Sequence, residues 1–406
     1  MKATIVIPTY WRGPASEAPM CTLESDYLYD HATPLDSEGT LGRALDSLSV
    51  LKSPEDFAVA VVAASTRREI KQAVELKVQS IIARYDYDFP FLMIGPDELV
   101  LWRRRLVQAG FREYDDFLDL DGYANIRNMC LLAAALTDAE VAILFDDDQV
   151  FEDPEYLTKA LEFVGREHEG SFVAGVTGYY VRPEGGYLAP PEQSEWQKTW
   201  GGRKARNEAL KIIGAPLRLK PAPLVFGGNM VIHRRLFESV PFDNRIPRGD
   251  DLDYMINAMF FGHRFLLDNQ LWIRHLPPPR CAPAWHQLRQ NIVRFARERA
   301  KLATQRPGPG LHAVYPADFD PYPGRFLKDN LHDIVASTSL EMAADYLAAG
   351  MEEDAAECMV NIAISKAESR IRGDAFGEYL ARQQKWEEFI RLLPQMHIWS
   401  PAAGND

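Results

Sequence analysis

The chain has 406 residues, 47% hydrophobic and 25% charged. That composition is ordinary for a globular protein and excludes a disordered chain, a collagen-like fibre and a low-complexity polymer. With 58 acidic and 45 basic residues the formal charge is −13, so nucleic acid and anionic lipid are repelled and nucleic acid is not an expected partner.

At ~150 residues per domain the length predicts two to three domains. Cys21, Cys130, Cys281 and Cys358 are widely spaced, which argues against a zinc knuckle or a disulfide scaffold and for a reducing, cytoplasmic setting. No stretch approaches ~18 uninterrupted apolar residues, so no transmembrane helix is expected. The first apolar run, Thr4 to Pro8, is too short for a signal-peptide core and reads as a buried strand.

A helical pattern follows over Leu41 to Leu51, then a second strand over Phe57 to Ala64. Glu69 to Arg84 reads helical, Phe89 to Ile94 as a strand, Asn125 to Leu136 as a helix and Val141 to Phe145 as a buried strand. Strands alternating with helices predict an α/β fold, a mainly parallel sheet with helices on both faces. Ligands of such sheets sit at the carboxyl ends of the strands. Trp11 to Gly39 reads as a long irregular insertion, functional or mobile. Pro183 to Arg206 reads as a second irregular stretch, either a mobile lid or acceptor platform, with Trp196 and Trp200 able to stack on a sugar ring, or a surface loop pinned by those tryptophans. Ala284 to Leu302 reads as a basic amphipathic helix and Arg306 to Arg325 as a Pro/Gly-rich linker. Leu327 to Leu393 reads helical, with a hairpin turned at Gly350. The expected division is 1–280, 281–325 and 326–406, the last packing on the core or making a homo-oligomer.

The sharpest local signal is Asp146-Asp147-Asp148 at the end of an apolar strand. Strand alternation sends Asp146 and Asp148 to one side and Asp147 to the other. Two hard oxygen ligands on one side suit Mg²⁺ or Mn²⁺ together with phosphate oxygens. Helix capping accounts for Asp153 but not for three successive aspartates.

Several segments together resemble the GT-A glycosyltransferases, especially the large inverting family numbered 2. They are Ile5-Val6-Ile7-Pro8-Thr9-Tyr10, then Gly122-Tyr123-Ala124-Asn125-Ile126-Arg127-Asn128, then the aspartate triplet as a D-x-D motif. Phe226-Gly227-Gly228-Asn229 is similar to that family's acceptor-side segment, and Arg248-Gly249-Asp250-Asp251 to its Glu-Asp motif, with Asp250 in the Glu place. The resemblance covers residues 1 to about 280 and leaves the helical tail uncovered.

The resemblance implies transfer of a sugar from a UDP- or GDP-linked donor to an acceptor hydroxyl, with inversion. Pro8, Thr9, Tyr10, Arg127, Asp146 and Asp147 then face the nucleotide diphosphate. Asp148, Asp146 and His275 hold Mn²⁺ or Mg²⁺. Asp251 is the general base, with Asp250 its rival. Gly227, Gly228, Asn229, Trp196 and Trp200 form the acceptor side. One feature departs from the family: the second strand ends in Ala63-Ala64-Ser65-Thr66, with no aspartate to read uracil. Asp30 and His31, in the first insertion, are candidates for the missing contact. Two other classes compete. A nucleotidyltransferase would use a Gly-rich loop after the first strand, of which Arg12-Gly13 is a thin version. A non-catalytic GT-A-like domain would bind a nucleotide sugar or glycan.

Overall fold

The computed structural model of the chain describes residues 1–16, 28–52, 57–86, 88–280, 282–370 and 373–396. The part of the first insertion between 17 and 27, with Cys21 and Cys281, lies outside the described residues.

The strands are β1 (Ala3–Arg12), β2 (Thr33–Pro34), β3 (Phe57–Ser65), β4 (Phe91–Ile94), β5 (Val141–Leu144), β6 (Gln149–Val150), β7 (Glu167–His168), β8 (Ser171–Phe172), β9 (Gly175–Val181), β10 (Leu219–Pro221), β11 (Met230–His233) and β12 (Phe265–His275). The helices are α1 (Leu41–Ser47), α2 (Lys71–Ile82), α3 (Pro96–Gln108), α4 (Tyr123–Leu136), α5 (Tyr156–Phe163), α6 (Glu195–Trp200), α7 (Gly202–Leu210), α8 (Arg234–Phe237), α9 (Asp250–Phe260), α10 (Ala284–Thr304), α11 (Leu331–Ala348), α12 (Glu352–Glu368) and α13 (Ala375–Met396).

The main sheet runs in the order β10-β12-β9-β11-β5-β1-β3-β4. β4, β3, β1 and β5 are parallel, β11 runs antiparallel between β5 and β9, and β12 is again parallel to β9. The predicted α/β architecture is therefore present. Its strands are apolar on both faces because both are covered. Val6, Tyr10, Ala60, Val62, Ala142 and Leu144 belong to one core cluster. Ile5, Ile7, Val59, Val61, Ile143 and Phe145 belong to the other. Alternation along each strand thus sorts residues between two cores rather than between core and water.

Three expectations are refined. α3 lies in a stretch with no expected element. Its start is set by Pro96 and by Glu98, whose side chain accepts the Gly95 N–H at 3.2 Å. The 183–206 stretch is not wholly irregular, since α6 and the start of α7 lie inside it. The tail helices pack on the core. Trp386 Nε1 donates to the Phe237 carbonyl at 3.0 Å and the Tyr379 hydroxyl to the Pro241 carbonyl at 2.9 Å. Trp386, Phe389 and Leu393 share the cluster that contains Val6 and Leu144. Lys301 of α10, fully buried, pairs with Asp253 of α9 and donates to Asn257 at 2.8 Å. The C-terminal helices therefore back the helix that begins with Asp250 and Asp251.

Candidate active site

A cavity of about 750 Å³ opens at the carboxyl ends of β1 and β5, on the face to which Tyr10 points. Asp146, Asp147, Asp148, His275, Arg127, Asp250 and Asp251 all line it. The sequence scatters these residues from 127 to 275, and the sheet gathers them.

The aspartates leave β5 in a tight turn, with the Gln149 N–H donating to the Asp146 carbonyl at 3.1 Å. Each carboxylate meets a different partner. Asp146 Oδ1 is 2.7 Å from Arg127 Nη2. Asp147 accepts the Thr9 hydroxyl at 2.6 Å, and burial, then Asp148, push its carboxyl up to about 8. Asp148 Oδ2 is 3.1 Å from His275 Nε2. Burial opposes the Asp148 charge, but the hydrogen bond from His275 prevails and keeps its carboxyl below the ordinary range.

The Asp148–His275 pairing follows from a short ladder. β6 pairs antiparallel with the end of β12, Gln149 opposite His275, and the Leu276 N–H donates to the Asp148 carbonyl at 2.8 Å. Asp148 Oδ1 is buried with no hydrogen-bond partner among the described residues. A carboxylate oxygen and an imidazole nitrogen at this spacing fit a divalent cation. No group of three or more His, Cys, Asp or Glu able to hold a metal occurs among the described residues. Asp146, expected as a metal ligand, faces Arg127 instead.

Arg127 sits between two acids, with its Nε 3.5 Å from Asp250 Oδ2. Burial opposes the Arg127 charge, and Asp146 and Asp250 outweigh it. Asp250 begins α9 after Gly249, whose φ is +68°. Burial raises the Asp250 carboxyl to about 7 despite Arg127. Asp251 is less enclosed. Its Oδ2 accepts the Gly227 N–H at 3.0 Å and its Oδ1 the Leu252 N–H at 2.8 Å. These donors aim the carboxylate at the cavity beside the β11 turn.

Several expected residues lie elsewhere. Pro8 and Thr9 do not line the cavity. Alternation turns Thr9 away from Tyr10, so Thr9 holds Asp147 and accepts the Trp11 indole N–H at 2.9 Å. Asn229 is fully buried and structural, its amide donating to the Tyr179 and Leu271 carbonyls and accepting the Tyr156 hydroxyl at 2.7 Å. Gly228 lies against the aspartates, its N–H donating to the Tyr180 hydroxyl at 2.7 Å. Gly227 and Trp200 line the cavity, but the Trp200 ring is stacked on Phe326 at 4.3 Å. Trp196 packs against the core and is not a cavity residue. Gly13, in the position of a phosphate-cradling loop, is covered by the Arg67 guanidinium.

Asp30 and His31 both reach the cavity. Asp30 accepts from Arg248 through both oxygens, Nη2 to Oδ2 at 2.7 Å and Nε to Oδ1 at 3.3 Å; burial works against its charge, but Arg248 holds its carboxyl at about 2. His31 Nδ1 lies 2.9 Å from the Pro278 carbonyl and its ring packs 6.2 Å from that of His275. The sequence reading missed Tyr123, Tyr180, Arg206, Arg248, Arg280 and Arg294, all cavity residues. Two carried a signal: Tyr123 and Arg248 lie inside the motifs already singled out.

No protein-family model matches the chain, and no curated protein matches it. Solved structures do. One is the mannosyltransferase PcManGT of Pyrobaculum calidifontis, in complex with GDP-Man and Mn²⁺, at 14% identity over 98% of this chain and 87% of that one, TM-score 0.45. Another is GalNAc-T7 with UDP, GalNAc and Mn²⁺, at 10% identity over 83% and 57%, TM-score 0.40. A third is glucosyl-3-phosphoglycerate synthase of Mycobacterium tuberculosis with Mn²⁺ and UDP-glucose, at 12% identity over 71% and 74%, TM-score 0.36. These likenesses are distant.

Proposed function

We propose that the protein is a metal-dependent glycosyltransferase of GT-A type. It moves a sugar from a UDP- or GDP-linked donor to an acceptor hydroxyl, with inversion at the anomeric carbon. The observation that carries the reading is one shared cavity. It places a carboxylate–imidazole pair, Asp148 with His275, in the same space as a backbone-aimed carboxylate, Asp251.

Asp148 and His275 would hold Mn²⁺ or Mg²⁺, and the imidazole leans the set toward Mn²⁺, since Mg²⁺ prefers an all-oxygen shell. When bound, the ion supplies Lewis-acid neutralisation of the departing diphosphate. Arg127 adds fixed positive charge, and Asp146 and Asp250 hold its guanidinium in place. Asp251 takes the acceptor proton as the new oxygen–carbon bond forms and the bond from carbon to the diphosphate oxygen breaks, its electron pair leaving with the diphosphate. The Gly227 and Leu252 N–H groups fix the orientation of that base. Tyr180, with its hydroxyl on the Gly228 N–H and its ring 4.9 Å from His275, spans the two halves of the site.

The test is a calorimetric and thermal-shift series with UDP, GDP, CDP and TDP, each with and without Mn²⁺. One nucleoside diphosphate is expected to bind only with metal and, at a hundredfold excess over its dissociation constant, to stabilise the fold by about 3 kcal/mol. Binding of none under any metal condition overturns the reading. With the donor known, Asp251→Asn is expected to lower transfer by roughly 10²–10⁴-fold and leave nucleotide affinity in place. Transfer that persists in both Asp251→Asn and Asp250→Asn sinks the base assignment.

A further inference from the structure

The cavity holds more positive charge than the chemistry above uses. Arg127 is neutralised by Asp146 and Asp250, and Arg248 by Asp30. Of the other cavity arginines, Arg182 pairs with Glu184 and Arg203 donates to the Pro190 and Pro191 carbonyls, whereas Arg206, Arg280 and Arg294 have no carboxylate hydrogen-bonded to them among the described residues. The Arg206 guanidinium lies over the Phe226 ring at 5.3 Å. Arg280, exposed at the cavity wall, has Nη1 3.4 Å from Gln287 Oε1. Its surroundings disfavour its charge through desolvation first; Asp30 favours the charge, and Arg248 and then Arg206 repel it. Arg294 is 1% exposed, and its Nη2 is buried with no hydrogen-bond partner among the described residues. Glu298 pairs with it only loosely, 3.6 Å from its Nε and without a hydrogen bond among the described residues. Arg294 is thus a buried, incompletely paired cation, which is costly, and more so with other arginines in the same cavity. In a chain of net charge −13 their convergence on one cavity calls for an anion.

The position of the cluster says which anion. Arg294 packs so tightly over Gly249 that a β-carbon there would stand 1.7 Å from its Nη1. The next two residues are Asp250 and Asp251. Phe226, beneath Arg206, immediately precedes Gly227, whose N–H holds Asp251. Two arginines from separate helices, α7 and α10, therefore stand against the two segments that carry and orient the base. Tyr180, with its ring 4.7 Å from Phe226 and 4.9 Å from His275, stands between this group and the Asp148–His275 pair.

We propose that the acceptor is itself an anion, and that Arg206, Arg280 and Arg294 bind its phosphate or carboxylate group beside Asp251. The inference rests on the glycosyltransferase reading and names its acceptor class. The planar guanidinium suits both groups, since each presents paired oxygens to it. The charge of the acceptor then selects it and sets its hydroxyl against the base.

The test uses inorganic phosphate as the probe, titrated calorimetrically into the full chain at constant ionic strength. It is run with and without a saturating nucleoside diphosphate and Mn²⁺, and acetate forms a second arm for a carboxylate. Phosphate or acetate is expected to bind alongside the nucleotide. Arg206→Gln and Arg280→Gln are each expected to weaken that binding at least tenfold while nucleotide affinity changes less than twofold. Arg294→Gln is held in reserve, since its burial ties it to folding. Binding of neither anion overturns the proposal and leaves the glycosyltransferase reading standing. Displacement of the anion by the nucleotide also overturns it, because the arginines would then serve the donor diphosphate. If no nucleotide binds at all, the proposed function fails and the acceptor assignment falls with it.

Discussion

His275 Nε2 meets Asp148 Oδ2 at 3.1 Å because a two-residue ladder, β6 against the end of β12, sets Gln149 opposite His275. Asp148 is thereby aligned through its main chain as well as its side chain, since its carbonyl accepts the Leu276 N–H. The two groups come from strands far apart in sequence, and their spacing belongs to the sheet rather than to either loop.

Replacing His275 with alanine removes one of two protein donors from this pair. Metal-dependent affinity for the nucleoside diphosphate is expected to fall at least tenfold. Any metal-independent binding should be unchanged. Calorimetry with and without Mn²⁺ reads both quantities, and an unaltered metal dependence would remove His275 from the ligand set.

Gly228 is glycine for reasons of space. A β-carbon there would stand 2.5 Å from Asp146 Oδ2 and 2.3 Å from Gln149 Nε2. Gly228→Ala is expected to destabilise by about 1–3 kcal/mol and to push Asp146 off Arg127, weakening nucleotide binding. Gly227→Ala, whose closest contact would be Arg127 Nη2 at 3.0 Å, should be milder. Equal effects in denaturation and binding would refute this ordering.

Asn229 was expected on the acceptor side, and its buried hydrogen bonds place it in the scaffold instead. Asn229→Ala leaves the Tyr156 hydroxyl and two carbonyls short of a partner. A loss of about 2–4 kcal/mol in stability is expected from urea denaturation, with nucleotide affinity of the folded protein kept. Full stability combined with a raised KM for acceptor would return Asn229 to the site.

Asp250 links stability to pH. Its folded carboxyl is raised, mainly by burial, to about 7, against an unfolded value near ~4. The unfolded chain therefore ionises Asp250 first as pH rises. Stability from this group is complete below about pH 4 and declines between about pH 4 and 7. Asp250→Asn should remove that decline, so wild type and variant should diverge in denaturation midpoint across this window in favour of the variant. Parallel curves would show that Asp250 does not titrate there.

Much of the fold was legible from local pattern. Ile5-Val6-Ile7, the apolar run from Phe57 and Val141 to Phe145 are continuous because both faces of a parallel sheet are covered, and such runs between helical stretches specify crossover units by themselves. The aspartate triplet and Asp250-Asp251 were visible as carboxylates at the ends of a strand and at the start of a helix. Their roles were not. Thr9 and Tyr10 are neighbours in sequence, yet one braces Asp147 and the other faces the cavity, and only the handed alternation of β1 against two cores decides which. Trp196 and Trp200 look equivalent in sequence, and the packing of α6 against the tail separates them.

The sequence by itself determined the layers, the order of the elements and the inventory of carboxylates, because burial periodicity and turn chemistry act over a few residues. Tertiary structure alone decided which charges meet. Arg127 lies between Asp146 and Asp250, Arg248 on Asp30, and Arg294 over Gly249. Each pairing joins different elements, and electrostatic partnership depends on distance through space, which no spacing along the chain encodes.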